Sequence, residues 1–468
     1  MEAIMSVSVR IGVFCVLSAF ALCGISAAQT VPVKVDFSKS AGAIKPLHGI
    51  NNSPVRLNEE MREMREAGIP YSRLHDSVGR YGGAHFVDIS NVFPNFDADP
   101  SDPASYDFAF TDAYLRSLNR SGVKIFYRLG NTIEGYYHIK EYNTQPPADY
   151  EKWAKICEGI IRHYNEGWAN GFKYGIEYWE IWNEPDNRSM WSGTSREYYE
   201  LYRVAANYLK KRFPNIKIGG FASCGFYYKT RPNPKESYKY YMEFAEGFFD
   251  YISSDETRAP LDFFSWHLYT DSPEEIVAHS ECARKLMDGH GFKGAESIFN
   301  EWNLPTSLTA SESRNRKNEI GASFVAAAFC AMQNSTIDKA MYYDALPTRS
   351  YCGLYTFPEQ NLTKTYFSFK AFNELNKLGT AVACESPKDS GVYVCAAKSE
   401  DGSRGAVMIA NYSGNRKLVK LECAGKAESC FITDADYTYT ELNYRFRNSN
   451  IALAGNSVAL IKFDLNKK

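Results

Sequence analysis

The stretch Tyr178-Trp179-Glu180-Ile181-Trp182-Asn183-Glu184-Pro185 decides how this chain is read. It is short, apolar and rich in aromatic and β-branched residues, as strands are, and it runs into Asn-Glu-Pro. Proline donates nothing to a ladder, so the strand is predicted to end there, with Glu184 at its carboxyl tip. A second stretch, Glu296-Ser297-Ile298-Phe299-Asn300-Glu301-Trp302-Asn303, has the same design: a short strand, then Asn-Glu beside tryptophan. Carboxylates at the C-terminal ends of parallel strands are where α/β barrels keep reactive groups.

Working outward, eight strand-like segments recur at residues 47–52, 71–76, 124–130, 178–184, 216–222, 263–269, 297–302 and 340–344. Helix-like segments separate most of them. Residues 58–67 carry Met61, Met64 and Ala67 on one face, and residues 195–213 start at a Ser/Thr cap and continue through Tyr199, Tyr202, Ala206 and Leu209. This βα rhythm implies a parallel sheet, and a count of eight implies a (β/α)8 TIM barrel. Glu184 then ends the fourth strand and Glu301 lies on the seventh. The connections at 79–106 and 225–260 are long, as loops that build a substrate cleft are.

From about Gly379 the rhythm changes to short strands between turns, the pattern of an all-β sandwich. The alternating run Val31-Pro32-Val33-Lys34-Val35-Asp36-Phe37 comes too early for the barrel and is expected to join that sandwich. The expected division is a signal peptide at 1–28, an N-terminal strand at 29–45, the barrel at 46–378 and the β-sandwich at 379–468.

Among the 468 residues the formal net charge is −2 and basic residues form no long runs, so nucleic acid is not an expected partner. Arg10, the apolar run 11–25 and Ser26-Ala27-Ala28 make a secretory signal pattern, too short for a membrane span, so the protein is expected to be secreted or periplasmic. Removing that segment leaves nine of the eleven cysteines. An odd number cannot pair completely, and their apolar surroundings suit buried thiols. No Cys/His spacing suggests zinc, and neither metal nor cofactor is expected.

Two facing carboxyls meet the needs of glycosidic bond cleavage: one proton donor for the leaving oxygen and one carboxylate for the anomeric carbon. An ionised Glu301 makes loss of the Glu184 proton harder, which suits Glu184 to the donor role. The expected partner is therefore an oligosaccharide, polysaccharide or other glycoside.

The run Trp182-Asn183-Glu184-Pro185-Asp186, with Met190-Trp191, Tyr198-Tyr199-Glu200-Leu201-Tyr202 and Lys217-Ile218-Gly219-Gly220, resembles glycoside hydrolase family 39. So do Phe263-Phe264-Ser265-Trp266-His267-Leu268-Tyr269 and Phe299-Asn300-Glu301-Trp302-Asn303. The paired Glu motifs are those of the wider clan A. The resemblance implies a retaining mechanism with Glu184 as acid/base and Glu301 as nucleophile. It also implies that Asn183 meets the sugar 2-hydroxyl, and that His267 and Tyr269 bind hydroxyls or orient Glu301. The family's iduronidases carry lysine two residues after the sixth-strand histidine, where this chain has Tyr269; a β-xylosidase-type glycosidase fits better than one for an acidic sugar.

Around these, Arg73 is expected to steady Glu301 or to serve a salt bridge in the barrel's polar layer, and His75 to line the subsite. Asp76 fits the same salt-bridge layer. Arg128, Asn131 and Glu134 are weaker candidates. Trp191, Trp302 and Tyr342 are read as sugar platforms that would otherwise be packing residues. Two alternatives remain: an endo-acting clan A glycan hydrolase, and a non-catalytic carbohydrate-binding barrel.

Overall fold

A computed structural model describes residues 30–77, 86–132, 144–307, 309 and 312–467; the expected signal peptide and Glu134 lie outside the described residues. After a first strand, β1 (Thr30–Ala43), eight parallel strands close into a barrel: β2 (Gly49–Asn51), β3 (Tyr71–Leu74), β4 (Lys124–Leu129), β5 (Tyr178–Ile181), β6 (Lys217–Ser223), β7 (Phe263–Tyr269), β8 (Glu296–Asn303) and β9 (Lys339–Tyr342). β9 pairs back onto β2 through Gly49 and Met341. The fold class expected from the βα rhythm is the one observed.

Side-chain alternation sets what fills the barrel. At its base Tyr71, Phe126, Tyr178, Phe263, Ile298 and Met341 form a separate apolar cluster, with Tyr178 stacked on Phe126 at 5.3 Å. Two residues further along the same strands stand Arg73, Arg128, Glu180, Ser265 and Asn300, all fully buried. The lumen thus changes within one pleat from an aromatic plug to a charged, hydrogen-bonded floor, and the site stands on that floor.

The remaining strands, β10 (Thr380–Glu385), β11 (Val392–Lys398), β12 (Arg404–Asn411), β13 (Lys417–Glu422), β14 (Lys426–Thr433), β15 (Thr440–Glu441), β16 (Phe446–Arg447), β17 (Asn450–Leu453) and β18 (Ser457–Asp464), form a curled ten-stranded sheet with β1. β1 pairs antiparallel with β10 and parallel with β13. Both faces of its central strands are covered, which explains their near-continuous apolar sequence. Val394, Val407, Ile409 and Ile461 point into the sheet's own core, while Cys395, Ala397, Met408 and Ala410 face the barrel's core. The helix Glu319–Gln333 is caught in that second layer and is buried on almost every side, so it lacks a polar face. All nine described cysteines are free thiols, and no described helix is long and apolar enough to cross a membrane.

Candidate active site

The predicted strand at 178–184 ends sooner, at Ile181, because Trp182 turns into the left-handed region (φ +73°) and Glu184 does so again (φ +45°). Non-glycine residues hold such angles only where their surroundings fix them. Trp182 N donates to Leu129 O and Glu184 N to Ala222 O, so the turn is sewn to both neighbouring strands. The result swings the Trp182 indole outward, where Nε1 donates to Met190 O, and brings Asn183 and Glu184 over the lumen.

Glu301 reaches the lumen by a different device. β7 and β8 pair as Trp266 with Phe299 and then His267 with Glu301, a bulge that leaves Asn300 as the extra residue. A bulge lets two consecutive residues share one side of a strand. Asn300 Nδ2 donates downward to Glu180 Oε1, and Glu301 stands above it.

Arg73 ties the floor together. Its Nε donates to Glu180 Oε2 at 2.7 Å, Nη1 to Asn51 Oδ1 at 3.0 Å and to Glu301 Oε2 at 3.1 Å, and Nη2 to Asn183 Oδ1 at 2.6 Å. One guanidinium thus makes both a polar-layer salt bridge and a contact to Glu301. Tyr269 Oη donates to the other oxygen of Glu301 at 2.7 Å. His267 Nδ1 and Glu184 Oε1 lie 2.7 Å apart. Burial pushes the His267 pKa down to about 4, with the Arg73 charge acting in the same direction. A neutral imidazole either donates to a Glu184 carboxylate or accepts from the protonated acid.

Burial raises the pKa of both carboxyls. On Glu301 the Glu184 charge adds to that rise, while Arg73 and the Tyr269 hydroxyl oppose it. Facing atoms of Glu184, His267 and Glu301 all lie within 4.8 Å of one another. The donor types of this trio are those of a metal site, but the fully buried Arg73 cation already sits against Glu301. Asn183 Nδ2 and His267 Nε2 are buried without a hydrogen-bond partner among the described residues. Facing the lumen beside the two carboxyls, these atoms are available to ligand hydroxyls.

Three of the expected platforms are corrected. Trp191 and Tyr342 are 1% exposed, and so is Trp302. Trp191 stands edge-on to Trp182, with Nε1 donating to Thr194 O. Trp302 and Tyr342 pack edge-to-face on each other and against Phe329 and Phe369 behind the strands. Alternation explains the miss: on β9 Met341 faces the lumen, so Tyr342 faces out and the next inward residue is Tyr343. The Tyr343 ring lies 6.4 Å from both Tyr269 and His75, and its hydroxyl donates to Asp76. His75 lies 3.3 Å from Asp76 as well. Arg128 is spent on Asp88, and Asn131 accepts from Ser90 N.

The sequence reading also passed over Glu180, Asn300, Asn51 and Asp186. The first two were legible, since Glu180 is two residues from Tyr178 on one strand face and Asn300 precedes Glu301. Asp186 is fully buried, accepting from Ser223 Oγ and Cys224 N at 2.9 Å each. Burial and the Glu184 charge push its pKa up to about 7. On the Glu184 side a cavity of about 660 Å³ opens, lined by Asn187, Cys224, Tyr227, Tyr238, Tyr241 and Tyr269 among others. That volume is ordinary for a small-ligand site.

The sequence model described as Glycosyl hydrolases family 39 matches residues 61–338, more than half of the chain. A beta-xylosidase of Geobacillus stearothermophilus is 28% identical over 216 residues, 43% of this chain and 37% of that protein. A beta-xylosidase of Caldicellulosiruptor saccharolyticus is 28% identical over 214 residues, 42% of this chain and 41% of that protein. The chain thus spans well under half the length of these curated relatives. Among solved structures, a glucosidase from Croceicoccus marinus superposes with a TM-score of 0.73 at 22% identity, covering 94% of this chain and 99% of that one. A monomeric beta-xylosidase from Caulobacter crescentus CB15 gives 0.64 at 17% identity, covering 92% and 99%.

Proposed function

The chain belongs to glycosyl hydrolase family 39, and from that premise we propose that it is a retaining β-glycosidase of the β-xylosidase type. The observation that carries the reading is the Glu184–Glu301 pair, with facing atoms no more than 4.8 Å apart. Retaining enzymes hold their carboxyls about 5–5.5 Å apart, whereas inverting ones leave room for a water at about 6.5–9.5 Å. The β-xylosidase assignment draws on the two curated relatives.

In the first step a Glu301 oxygen attacks the anomeric carbon, the bond to the leaving oxygen breaks, and that oxygen takes the Glu184 proton. Glu301 has lost its charge in the glycosyl ester, so Glu184 is now the stronger acid and stays ionised. In the second step Glu184 removes a proton from water, whose oxygen attacks the same carbon and releases Glu301. Arg73 and Tyr269 hold the two oxygens of Glu301 for this exchange. The unpartnered Asn183 amide suits the sugar 2-hydroxyl, a contact that strengthens at the transition state. Export follows the reading of residues 1–28 as a signal peptide.

Labelling with a 2-fluoro xyloside followed by peptide mapping tests the mechanism. The label is expected on Glu301, and the product is expected to keep its anomeric configuration. A label on any other residue, or an inverted product, rejects the double displacement.

A further inference from the structure

Beside the mouth of the barrel lies a second cavity of about 460 Å³ whose lining includes Arg314, Arg316, Lys317, Arg349, Tyr351 and Thr306. Arg316 is 2% exposed, anchored through Nη1 to Ser350 O and through Nη2 to Leu304 O and Pro305 O, with Nε buried and unpartnered among the described residues. Lys317 donates to the carbonyls of Thr348 and Cys352. Arg349 is exposed at the rim, 5.8 Å over the Phe357 ring. Among the described residues, no carboxylate oxygen lies within 4.0 Å of the charged nitrogens of Arg316, Lys317 or Arg349. Asp344 feels Lys317 without touching it, and burial and the neighbouring Asp76 push its carboxyl pKa well above the usual range.

Carbonyl dipoles orient Arg316 and Lys317 without neutralising them, while Arg349 rests over the Phe357 ring. Cations gathered and partly buried without counter-charge are costly unless an anion completes the site. Guanidinium groups fixed in position match the forked oxygens of carboxylate and sulfate. Thr306 lines this cavity and the one that holds Glu184. The Tyr351 ring stands 6.2 Å from Tyr269 and 5.5 Å from Tyr343. We propose that this cationic cavity binds an acidic group, a carboxylate or a sulfate ester, carried by a glycan unit neighbouring the one that is cleaved. The inference rests on the glycosidase reading of the adjacent site. The cationic cavity lies beside the one that holds Glu184 and shares Thr306 with it, so the acidic group belongs beyond the cleaved sugar.

The test is calorimetric titration of the full chain with three xylo-oligosaccharides of equal length: unsubstituted, glucuronic-acid-substituted and sulfated. At low salt at least one acidic oligosaccharide is expected to bind about tenfold more tightly than the neutral one, and which acidic probe gains identifies the group. Arg349→Glu removes that gain, Arg349→Lys keeps most of it, and both hydrolyse a neutral aryl xyloside as the unaltered protein does. Equal affinity for all three probes, or a preference that Arg349→Glu leaves intact, overturns the proposal. Hydrolysis without acidic preference sinks this site alone; acidic preference without hydrolysis of any glycoside sinks the glycosidase reading alone.

Discussion

Replacing Tyr269 by phenylalanine removes one hydroxyl and almost no volume. The lost contact is the 2.7 Å donation to Glu301 Oε1, made where Glu301 is only 8% exposed in its side chain. Hydrogen bonds to charged groups contribute about 1.5–3 kcal/mol, and one pKa unit corresponds to about 1.4 kcal/mol. The bond favours the ionised carboxylate, so its loss raises the Glu301 pKa by about 1–2 units. In the profile of kcat/KM against pH, the acidic limb reports ionisation of the nucleophile in the free enzyme, and the alkaline limb loss of the acid's proton. Tyr269→Phe is therefore expected to move the acidic limb up by about 1–2 pH units while the alkaline limb stays close to its original place. The assay is hydrolysis of an aryl xyloside across pH, with circular dichroism to confirm the fold. An acidic limb that stays put in a folded variant, or one that moves down, refutes the argument that Tyr269 holds Glu301 ionised.

Two further substitutions read the buried charges. Arg73→Met removes the cation that touches Glu180 and Glu301 and leaves Glu180 buried with Ser265 and Asn300 as partners; urea denaturation is expected to show a loss of about 3–5 kcal/mol, the cost of breaking a buried pair. Asp186→Asn keeps an oxygen to accept from Ser223 and Cys224 but cannot ionise. The native pKa, pushed up to about 7, exceeds the ordinary 3.8, so the folded state holds a proton that the unfolded chain releases, and stability is lost as pH rises through 7. The variant is expected to gain up to about 4 kcal/mol over the original protein at pH 8 and nothing below pH 4, by thermal or urea unfolding at the two pH values; an equal effect at both would show that Asp186 does not carry the pH dependence.

The fold was legible because the barrel strands are separated by amphipathic helices and are themselves strongly apolar, while strand ends were not. The segment 178–184 looks like one strand, yet Trp182 and Glu184 take left-handed angles that no composition signals. The pair Glu184 and Glu301 stood out because each follows Asn beside a strand end. The platforms were missed for lack of phase. Tyr342 and Tyr343 are adjacent tyrosines, and only knowing that Met341 plugs the lumen tells which of them faces the site. Arg73 shows the reverse: the residue was visible, but that it binds Glu180, Asn51, Asn183 and Glu301 together depends on four strands or strand ends meeting in space.

That convergence bears on which carboxyl does what. Among the described residues around the pair, Arg73 is the one cation in direct contact, and it touches Glu180 and Glu301 but not Glu184. One positive charge already faces two carboxylates, so a third ionised carboxyl would add uncompensated negative charge in a site of low dielectric. Glu184 has a neutral His267 for a neighbour and Asn187 Nδ2 at 3.5 Å, neither of which brings positive charge. The proton left in the cluster is therefore cheapest on Glu184, and the ionised member cheapest at Glu301, where Arg73 and Tyr269 each donate to one oxygen. Exchanging the two roles would require a carboxylate held by an uncharged imidazole and an amide, with Arg73 donating to a protonated acid. The division of labour proposed for the two glutamates thus follows from the position of a single guanidinium on the second barrel strand.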